Sequence, residues 1–165
     1  MLQSARLTFR PCADADLAIL LAHWGDSQVR RFLFDDRQVE PDQVETFIRT
    51  SEALFQAHQY GLWFLADRTA HQFCGVCGLW QGELDQPELL VSIVPVKWGQ
   101  GLGTEAGQTV LHYGFEQCRL PEVVATVDPP NRASIRMLEK LGFRQSHQPQ
   151  HTGTLLFICD RASCV

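Results

Sequence analysis

The stretch from residue 91 to residue 106 constrains the fold more than any other part of this chain. It begins as an apolar, β-branched run, turns at Pro95, passes through Gly99, Gly101 and Gly103, and ends on residues that favour a helix. A glycine-rich loop that leads into a helix exposes backbone N–H groups without helical acceptors, and the helix dipole adds partial positive charge there. The stretch therefore predicts a strand, a loop and a helix around a site for phosphate or pyrophosphate.

Length and composition limit the classes of protein to which the chain can belong. Its 165 residues suffice for one domain with its own core, and 45% hydrophobic with 20% charged residues is ordinary for a globular protein. A net charge of −5 argues against a general nucleic-acid binder. The apolar run at residues 17–22 is too short to cross a bilayer, and no targeting segment is visible. We expect one cytoplasmic domain over residues 1–165, monomeric or homodimeric, without nucleic-acid or membrane partners.

The cysteines and histidines show no spacing typical of a metal site. Six cysteines at irregular spacing, in a chain without a secretion signal, are expected to be reduced thiols. Cys74 and Cys77 form a C-x-x-C motif, but no second pair of ligands completes a zinc site, and their surroundings predict a strand rather than a thioredoxin-type helix. Positions three apart on a regular strand face opposite ways, so we interpret these cysteines as two small core residues.

The order of the predicted elements is that of a mixed α/β domain with about seven strands. Strands are predicted over residues 6–10, 60–66, 73–80, 88–94, 122–127, 143–148 and 154–158, the last two paired around Gly153. Helices are predicted over residues 14–23, 27–34, 41–58, 104–118 and 132–141. Asp14 or Asp16 should cap the first helix, Pro41 should begin the third, and Asn131 should cap the last, which Gly142 ends.

The helix after the glycine loop has small residues along one face. The residues of this face, most of which are small, are Gly103, Ala106, Gly107, Val110, Leu111 and Gly114. Three glycines inside a helix cost about 1 kcal/mol each relative to alanine. We therefore expect this helix to lie very close to a sheet.

A dinucleotide is one candidate ligand for the glycine loop. Gly101, Gly103 and Ala106 fit the pattern G-x-G-x-x-[G/A], and Asp128 ends the next predicted strand, as a ribose ligand would. Residues 95–98 separate the strand from the glycines, however, and only about sixty residues follow, too few for a full nicotinamide-binding sheet. A Walker A loop is excluded because no Lys-[Ser/Thr] pair follows the glycines.

A second motif favours coenzyme A over a dinucleotide as the ligand of the glycine loop. Residues 99–106 read Gly-Gln-Gly-Leu-Gly-Thr-Glu-Ala, and residues 131–143 read Asn-Arg-Ala-Ser-Ile-Arg-Met-Leu-Glu-Lys-Leu-Gly-Phe. This pair resembles motifs A and B of the GNAT N-acetyltransferases. With Trp98 before motif A it looks like the RimJ/RimL-type branch, which acetylates ribosomal-protein N-termini and other amines. The resemblance covers nearly the whole chain. It implies a single-domain GNAT fold, α/β with a mixed, mostly antiparallel central sheet flanked by helices, and acetyl-CoA as cosubstrate.

The resemblance also implies which residues hold acetyl-CoA. Pantetheine lies along the fourth strand of such proteins, which here would use the backbone of Ile93, Val94 and Val96. Asn131 would contact the pantetheine arm. The pyrophosphate would take the amides of Gln100, Gly101, Leu102, Gly103 and Thr104.

A basic stripe follows Asn131 in the sequence. Arg132, Arg136 and Lys140 recur at the i, i+4, i+8 spacing of one helix face and could meet the phosphates of the coenzyme. Alternatively, the stripe is a solvated helix face whose cations pair with Glu139 or other acids.

The implied reaction, attack of a neutral amine on a thioester, needs a base and a donor for the oxyanion. Glu88 begins the cofactor strand and is the best candidate for the base. An N–H near Ile93 or Val94 can serve the oxyanion. Glu83 and Asp85 could attract a cationic amine, or they could be ordinary polar loop residues.

The leaving thiolate needs a proton. Many GNAT enzymes carry a motif B tyrosine for this role, but Leu138 stands at the matching position here, and Ser134 is expected to substitute. A free thiol has a pKa of about 8.5, so the assistance need not be large.

The sequence provides less evidence about the acceptor pocket than about any other part of the site. Aromatic residues in the first half of the chain could line it, although core packing suits most of them; they are Trp24, Phe32, Phe34, Tyr60 and Trp63. A protein N-terminus, an amino acid and a polyamine all remain open as acceptors. The missing tyrosine also leaves open a module that binds acyl-CoA without catalysis, and a nicotinamide-dependent enzyme is a third hypothesis.

Overall fold

The computed structural model describes residues 2–82, 84–147 and 153–164 as one sheet of eight strands with five α-helices. The strands are β1 (Leu2–Gln3), β2 (Leu7–Pro11), β3 (Leu62–Asp67), β4 (Phe73–Gln81), β5 (Pro87–Ile93), β6 (Glu122–Val127), β7 (Arg144–Gln145) and β8 (Leu155–Asp160). The helices are α1 (Leu17–Gly25), α2 (Ser27–Leu33), α3 (Pro41–His58), α4 (Leu102–Glu116) and α5 (Arg132–Lys140). None of the helices in these ranges is long and apolar enough to traverse a bilayer.

The sheet is antiparallel except at its centre. Its strands lie side by side in the order β1-β2-β3-β4-β5-β6-β8-β7. The central strands β5 and β6 run parallel and pair only through Glu88 and Val124. The predicted mixed, mostly antiparallel sheet is thus confirmed. There are eight strands rather than about seven because Leu2–Gln3 adds a short strand beside β2.

Two hydrophobic clusters pack against this sheet. The larger one joins Val110 of α4 and Leu138 of α5 to the sheet, and the smaller one joins Trp24 of α1 and Ile48 of α3 to it. Along β5 the side chains alternate between the clusters: Leu89 and Ile93 belong to the larger, and Leu90 packs against the smaller. The central strand therefore separates one face covered by α4 and α5 from another covered by α1–α3.

The cysteines of the C-x-x-C motif are buried free thiols on β4, as expected, but they do not face opposite ways. Both belong to the larger cluster. The register between β3 and β4 shifts at Leu65 and Ala66, which pair with Gly75 and Phe73 and leave Cys74 as an extra residue. A β-bulge of this kind interrupts the two-residue alternation, so Cys74 falls on the same side as Cys77.

Most of the predicted helix boundaries are confirmed. Pro41 begins α3, the Oδ1 atom of Asn131 accepts from the N–H of Ser134 at 3.2 Å, and Gly142 follows α5 at φ 88°. The prediction that the Asp16 side chain caps the first helix is wrong. Its carboxylate does not cap α1 but accepts two hydrogen bonds from Arg10, at 2.7 and 2.6 Å, and one from the N–H of Ala13.

The face of α4 that is rich in small residues lies close to the sheet, as predicted from the sequence. A Cβ added at Gly114 would lie 3.0 Å from Leu79 of β4, and one at Gly107 would lie 2.7 Å from Leu141 at the end of α5. The helix therefore fits against both the sheet and α5. This position brings the start of α4 beside the point where β5 and β6 separate.

Candidate active site

A cleft of about 740 Å³ opens where β5 and β6 diverge. The pairing of the two strands stops after Glu88 and Val124, so the remaining edges of both strands face the gap. Residues of α2 line one side of the cleft, and the first turn of α4 together with α5 lines the other. The cleft therefore passes through the sheet from one covered face to the other.

Two residues of β5 direct their backbone groups into this gap. Gly75 and Cys77 of β4 lie opposite Ile93 and Val91, and the N–H of Val94 donates to the carbonyl oxygen of Cys74 at 2.9 Å. In an antiparallel ladder the bonding direction alternates from residue to residue, so the N–H and C=O groups of Val91 and Ile93 point away from β4. Val94 is therefore the wrong choice of oxyanion donor, because its N–H is already bonded within the sheet.

The carbonyl oxygen of Ile93 already has a partner. The indole N–H of Trp98 donates to it at 2.7 Å from the turn that follows β5. Trp98 is 48% exposed and lines the mouth of the cleft. Val96, in the same turn, is 85% exposed and lies outside the cleft lining.

The glycine loop forms an open cradle at the start of α4. Gly99 and Gly101 have φ values of 74° and 77°, which favour glycine, and a Cβ at Gly99 would meet nothing within 4 Å. The N–H of Glu105 donates to the carbonyl of Gly101 at 3.0 Å. The N–H groups of residues 102–104 precede it in the first turn and so have no helical acceptor. These amides are suited to bind an anion.

The N-terminal segment holds this cradle in place. The carboxylate of Glu105 accepts from the hydroxyl of Ser4 at 2.7 Å, and from the backbone N–H and Nε of Arg6 at 2.8 and 2.7 Å. Arg6 also donates to the carbonyl oxygen of Gln100 at 2.9 Å. Burial raises the pKa of Glu105, but the hydrogen bonds from Ser4 and Arg6 outweigh it, and the pKa of this carboxyl is lowered. No local pattern in the sequence predicts this network, because its members lie 94–101 positions apart.

Cations collect at the same end of the cleft. Arg136 and Lys140 line it, and Lys97 lines it from the turn after β5. Within the described part of the chain, no carboxylate lies within 4 Å of Arg132, Arg136 or Lys140, so the alternative of pairing with Glu139 is not what the structure contains. Arg136 and Lys140, which have no such partner among the described residues, and Lys97, which lies 4.0 Å from Asp67, make this end electropositive beside the free amides.

The sequence-predicted site residues mostly meet in this cleft. Those that line it are Glu88, Ile93, Gly101, Leu102, Gly103, Thr104, Asn131, Ser134, Arg136 and Lys140. Val94, Val96 and Gln100 lie outside the lining. Val91 was missed, although the alternation along β5 could have identified it.

Glu88 lies at the point where β5 and β6 diverge. Its Oε1 atom accepts from the N–H of Thr126 on β6 at 3.1 Å and also from the Thr126 hydroxyl. The N–H of Thr126 has lost its strand partner at this point, so the carboxylate takes the place of the missing ladder bond. The contact fixes Glu88 on the α2 side of the cleft.

The α2 side of the cleft is the candidate acceptor side. Of the aromatic residues considered for it, Phe32 lines the cleft, and the others belong to or pack against the core clusters. Asp85 accepts from the side-chain amide of Gln81 at 3.2 Å in an exposed loop. Glu83 lies outside the described residues.

A buried pair, His23 and Ser92, adjoins this side. The Nε2 atom of His23 is 2.6 Å from Oγ and 3.2 Å from the carbonyl oxygen of Ser92, and each residue is 6% exposed. Burial lowers the pKa of His23, opposed by the nearby carbonyl oxygen of Ser92, which would accept from a protonated ring, and by the charge of Asp26. The spacing of the histidines indicated no metal site, and it gave no sign of this contact between residues 69 positions apart. Among the described residues, no cluster of three or more His, Cys, Asp or Glu side chains could hold a metal ion.

Comparison with known proteins agrees with this geometry. The family described as "Acetyltransferase (GNAT) domain" matches residues 6–144. YoaA of Bacillus subtilis (strain 168), named an uncharacterized N-acetyltransferase, is 27% identical over 147 residues, which cover 88% of this chain and 83% of that protein.

Solved structures share the fold. An acetyltransferase from Agrobacterium tumefaciens str. C58 matches with a TM-score of 0.87 and 21% identity, covering 97% of this chain and 94% of that one. Spermidine N-acetyltransferase from Vibrio cholerae, in complex with CoA and spermine, matches with a TM-score of 0.77 and 16% identity, covering 95% of this chain and 96% of that one. At these identities the likeness concerns the fold alone.

Proposed function

The chain belongs to the GNAT acetyltransferase family and is an acetyl-CoA-dependent N-acetyltransferase, and we propose that it acetylates a primary amine by direct attack in a ternary complex. The observation that carries this proposal is the cleft between β5 and β6, into which Val91 and Ile93 direct backbone groups. A thioester in this gap would lie between an electropositive end and a separate acceptor side. Both substrates could then occupy the cleft at once, as direct attack requires.

The cleft fits acetyl-CoA through three features of the chain. The free edge of β5 offers the N–H and C=O of Ile93 to an amide-containing arm. The amides of residues 102–104 can bind the pyrophosphate, beside Gly99 and Gly101, where no side chain blocks the approach. Arg136 and Lys140, unpaired within the described residues, can meet further phosphate oxygens. Asn131 lines the same space, although its Oδ1 also caps α5.

We assign the general base to Glu88. It lines the acceptor side of the cleft, and its bonds to Thr126 hold the carboxylate in one position. A base can act directly or through water, and the separation of Glu88 from Val91 and Ile93 along β5 means that water must carry the proton between the amine and the carboxylate. The Val91 or Ile93 N–H would donate to the oxyanion.

Ser134 is the proposed proton donor to the leaving thiolate. It lies on the first turn of α5 and lines the cleft opposite α2. Leu138, at the position where many family members carry tyrosine, is 3% exposed in the core and brings no proton donor. A hydroxyl on the preceding turn of the same helix is a suitable substitute.

The acceptor is proposed to be a cation at neutral pH, either a small polyamine or a protein N-terminus. Asp35, Glu88 and Asp128 line the cleft, so carboxylates are available to attract an ammonium group. The spermidine N-acetyltransferase that shares the fold acts on a polyamine. Motifs A and B with Trp98 instead favour the RimJ/RimL-like branch and hence a protein N-terminus. We also propose that residues 1–165 act as one domain in the cytoplasm.

The proposal is tested by thiol release from acetyl-CoA with a panel of amines, containing polyamines, amino acids and peptides with different N-terminal residues. We expect release with at least one class of amine and none without an acceptor. Thermal stabilisation by acetyl-CoA with no release across the panel would instead indicate a non-catalytic acyl-CoA-binding module. Stabilisation by NAD(H) and not by coenzyme A would contradict the assigned cofactor.

A further inference from the structure

His23 and Ser92 form a buried polar contact to which the chemistry proposed above gives no role. Ser92 lies on β5 and lines the cleft, whereas His23 approaches it from α1. Two apolar residues of similar shape could fill such a position at little or no loss of stability, because a buried hydrogen-bonded pair contributes little net stability. The pair therefore calls for an explanation other than packing.

The position of Ser92 along the strand brings it close to the groups that would bind the oxyanion. Its neighbours Val91 and Ile93 are the residues whose N–H groups face the gap. Glu88 precedes Ile93 by five residues, which is about 16 Å along a strand at roughly 3.3 Å per residue. Ser92 is thus the polar side chain of β5 nearest to the reacting carbonyl.

The side chain of Ser92 also lies on the correct face. It contacts α1, and Leu90, two residues earlier, packs against the cluster formed with α1–α3. This is the face from which α2 lines the cleft and on which the acceptor amine is proposed to bind. The hydroxyl can therefore reach the amine from the strand while its other side contacts His23.

We propose, on the basis of the function proposed above, that Ser92 contacts the acceptor amine and passes its proton to His23. The amine nitrogen forms a bond to the acetyl carbon while the bond from that carbon to sulfur breaks. Glu88 has by then taken, through water, the proton that converts the ammonium group of the acceptor into the neutral amine. The attacking amine gives its second proton to Oγ of Ser92, and the Ser92 hydroxyl gives its own proton to Nε2 of His23. The proton then returns through Ser92 and solvent to Ser134, which protonates the thiolate, so His23 is neutral again. Ser92 is the catalytic residue of this pair and His23 is a positioning residue that acts through it.

The state of His23 in the free protein suits this role. The shorter contact of Nε2, at 2.6 Å, is with the hydroxyl, which can donate to the ring, whereas the carbonyl oxygen at 3.2 Å can only accept. Burial favours the neutral imidazole. The relay requires the tautomer of this ring that carries its proton on Nδ1.

The kinetic test compares His23→Gln, Ser92→Ala and the double variant with Phe73→Leu. Phe73 packs its ring edge-to-face on His23 at 5.3 Å, so its substitution loosens the packing and keeps the hydrogen bond. We expect kcat to fall about 100-fold in each of the first two variants, and no further in the double variant. The Kd for acetyl-CoA from calorimetry should stay within about twofold, and Phe73→Leu should retain kcat within about threefold.

The inference is overturned if either single variant keeps kcat within about fivefold of the wild type, or if the two losses multiply in the double variant. It is also overturned if Phe73→Leu lowers kcat as much as His23→Gln. An active wild type with active variants contradicts only this inference. A wild type that acetylates no amine contradicts the proposed function itself.

A spectroscopic measurement tests the pair without any turnover. The ¹⁵N shifts of the His23 ring at pH 7 should show a proton on Nδ1 and an unprotonated Nε2 that accepts from Ser92. The Ser92→Ala variant should shift the Nε2 resonance and leave the other histidines unchanged. An Nε2–H tautomer in the wild type would exclude the relay, because Nε2 could not then accept a proton.

Discussion

The indole N–H of Trp98 donates to the carbonyl oxygen of Ile93 at 2.7 Å, across the turn that links β5 to the glycine loop. The same carbonyl points into the cleft, where it would receive an amide N–H of the cofactor arm. The Ile93 oxygen has two lone pairs and could accept two hydrogen bonds. The exposed Trp98 ring, however, also occupies space at the mouth of the cleft that the cofactor arm would need. Trp98 and the cofactor are therefore expected to compete for this part of the strand.

Replacement of Trp98 by phenylalanine tests this competition. We expect acetyl-CoA to bind about two- to tenfold more tightly, because a net hydrogen bond of about 0.5–1.5 kcal/mol no longer has to be broken. In the wild type, cofactor binding should change the tryptophan fluorescence, and most of that change should be absent from the variant. Calorimetry and fluorescence titration measure the two effects. Weaker binding by Trp98→Phe would mean that the indole contributes to the cofactor site.

Arg6 is expected to support cofactor binding without contacting the amides themselves. Its guanidinium bonds to Glu105 and to the carbonyl of Gln100, so Arg6→Ala should loosen the loop that presents the N–H groups. We predict an increase of about five- to twentyfold in the Kd for acetyl-CoA, of the order given by one lost charge-assisted hydrogen bond. Arg37→Ala, at an exposed position, is the matched control and should bind normally. Equal Kd values for both variants would contradict a role for Arg6.

Gly75 allows β4 to lie close to β5 at Ile93, a residue whose backbone groups face the cleft. It has φ 145°, and an added Cβ would lie 2.8 Å from the Cα of Ile93 and still closer to the carbonyl oxygen of Ser92. Because the obstacles are backbone atoms, Gly75→Ala should lower the free energy of unfolding by roughly 2–4 kcal/mol. Gly25→Ala is the control: its Cβ would meet nothing within 4 Å, and the stability should be equal or higher. Urea denaturation compares the two variants, and similar midpoints would contradict this explanation of Gly75.

Local signals account for the parts of the fold that could be predicted. Pro41 marks the start of α3, and Asn131 with Gly142 marks the two ends of α5, because each acts on the backbone within a few residues. The glycine loop and the Asn131 motif likewise named residues that the structure brings together in one cleft. Both depend on backbone geometry that neighbouring residues determine.

The features that could not be predicted from the sequence depend on contacts between distant segments. Cys74 changes face because the register with β3 shifts, and no pattern within β4 reports that shift. Arg6 meets Glu105 across 99 positions, and His23 meets Ser92 across 69. The choice between Ile93 and Val94 as the proposed donor needed the pairing with β4, which also directs the backbone groups of Val91 away from β4.

Asp16 should make the stability depend on pH in the acid range. Burial raises its pKa, but the hydrogen bonds from Arg10 and from the N–H of Ala13 outweigh this effect, and the pKa is lowered. A lowered pKa contributes stability that is fully present above the unfolded-state value of about 3.9 and is lost as the pH falls through the folded-state value. Asp16→Asn should therefore lower the free energy of unfolding by about 1–3 kcal/mol at pH 7, and the difference should shrink as the pH falls below about 3.9 and through the lower folded-state pKa.

The control for Asp16 is Glu45, which forms a surface pair with Arg49 at 3.5 Å. Glu45→Gln should change the stability by less than about 0.5 kcal/mol at either pH. Urea denaturation at pH 7 and at low pH measures both variants. A constant difference between wild type and Asp16→Asn at all pH values would contradict the assigned role of the charge.

Glu88→Gln distinguishes a base from a structural bridge. Glutamine keeps an oxygen that can accept from Thr126, but it cannot take a proton from the amine, so kcat should fall about 10²–10⁴-fold with little change in the Kd for acetyl-CoA. Thr126→Val removes the hydroxyl and leaves the N–H, so it should misplace the carboxylate and lower kcat by roughly tenfold. Glu116→Gln removes a remote surface carboxylate that pairs with Arg161 and should leave kcat unchanged. If Glu88→Gln retains kcat while Ser92→Ala loses it, the proton passes through Ser92 and His23 alone, and Glu88 only bridges the diverging strands.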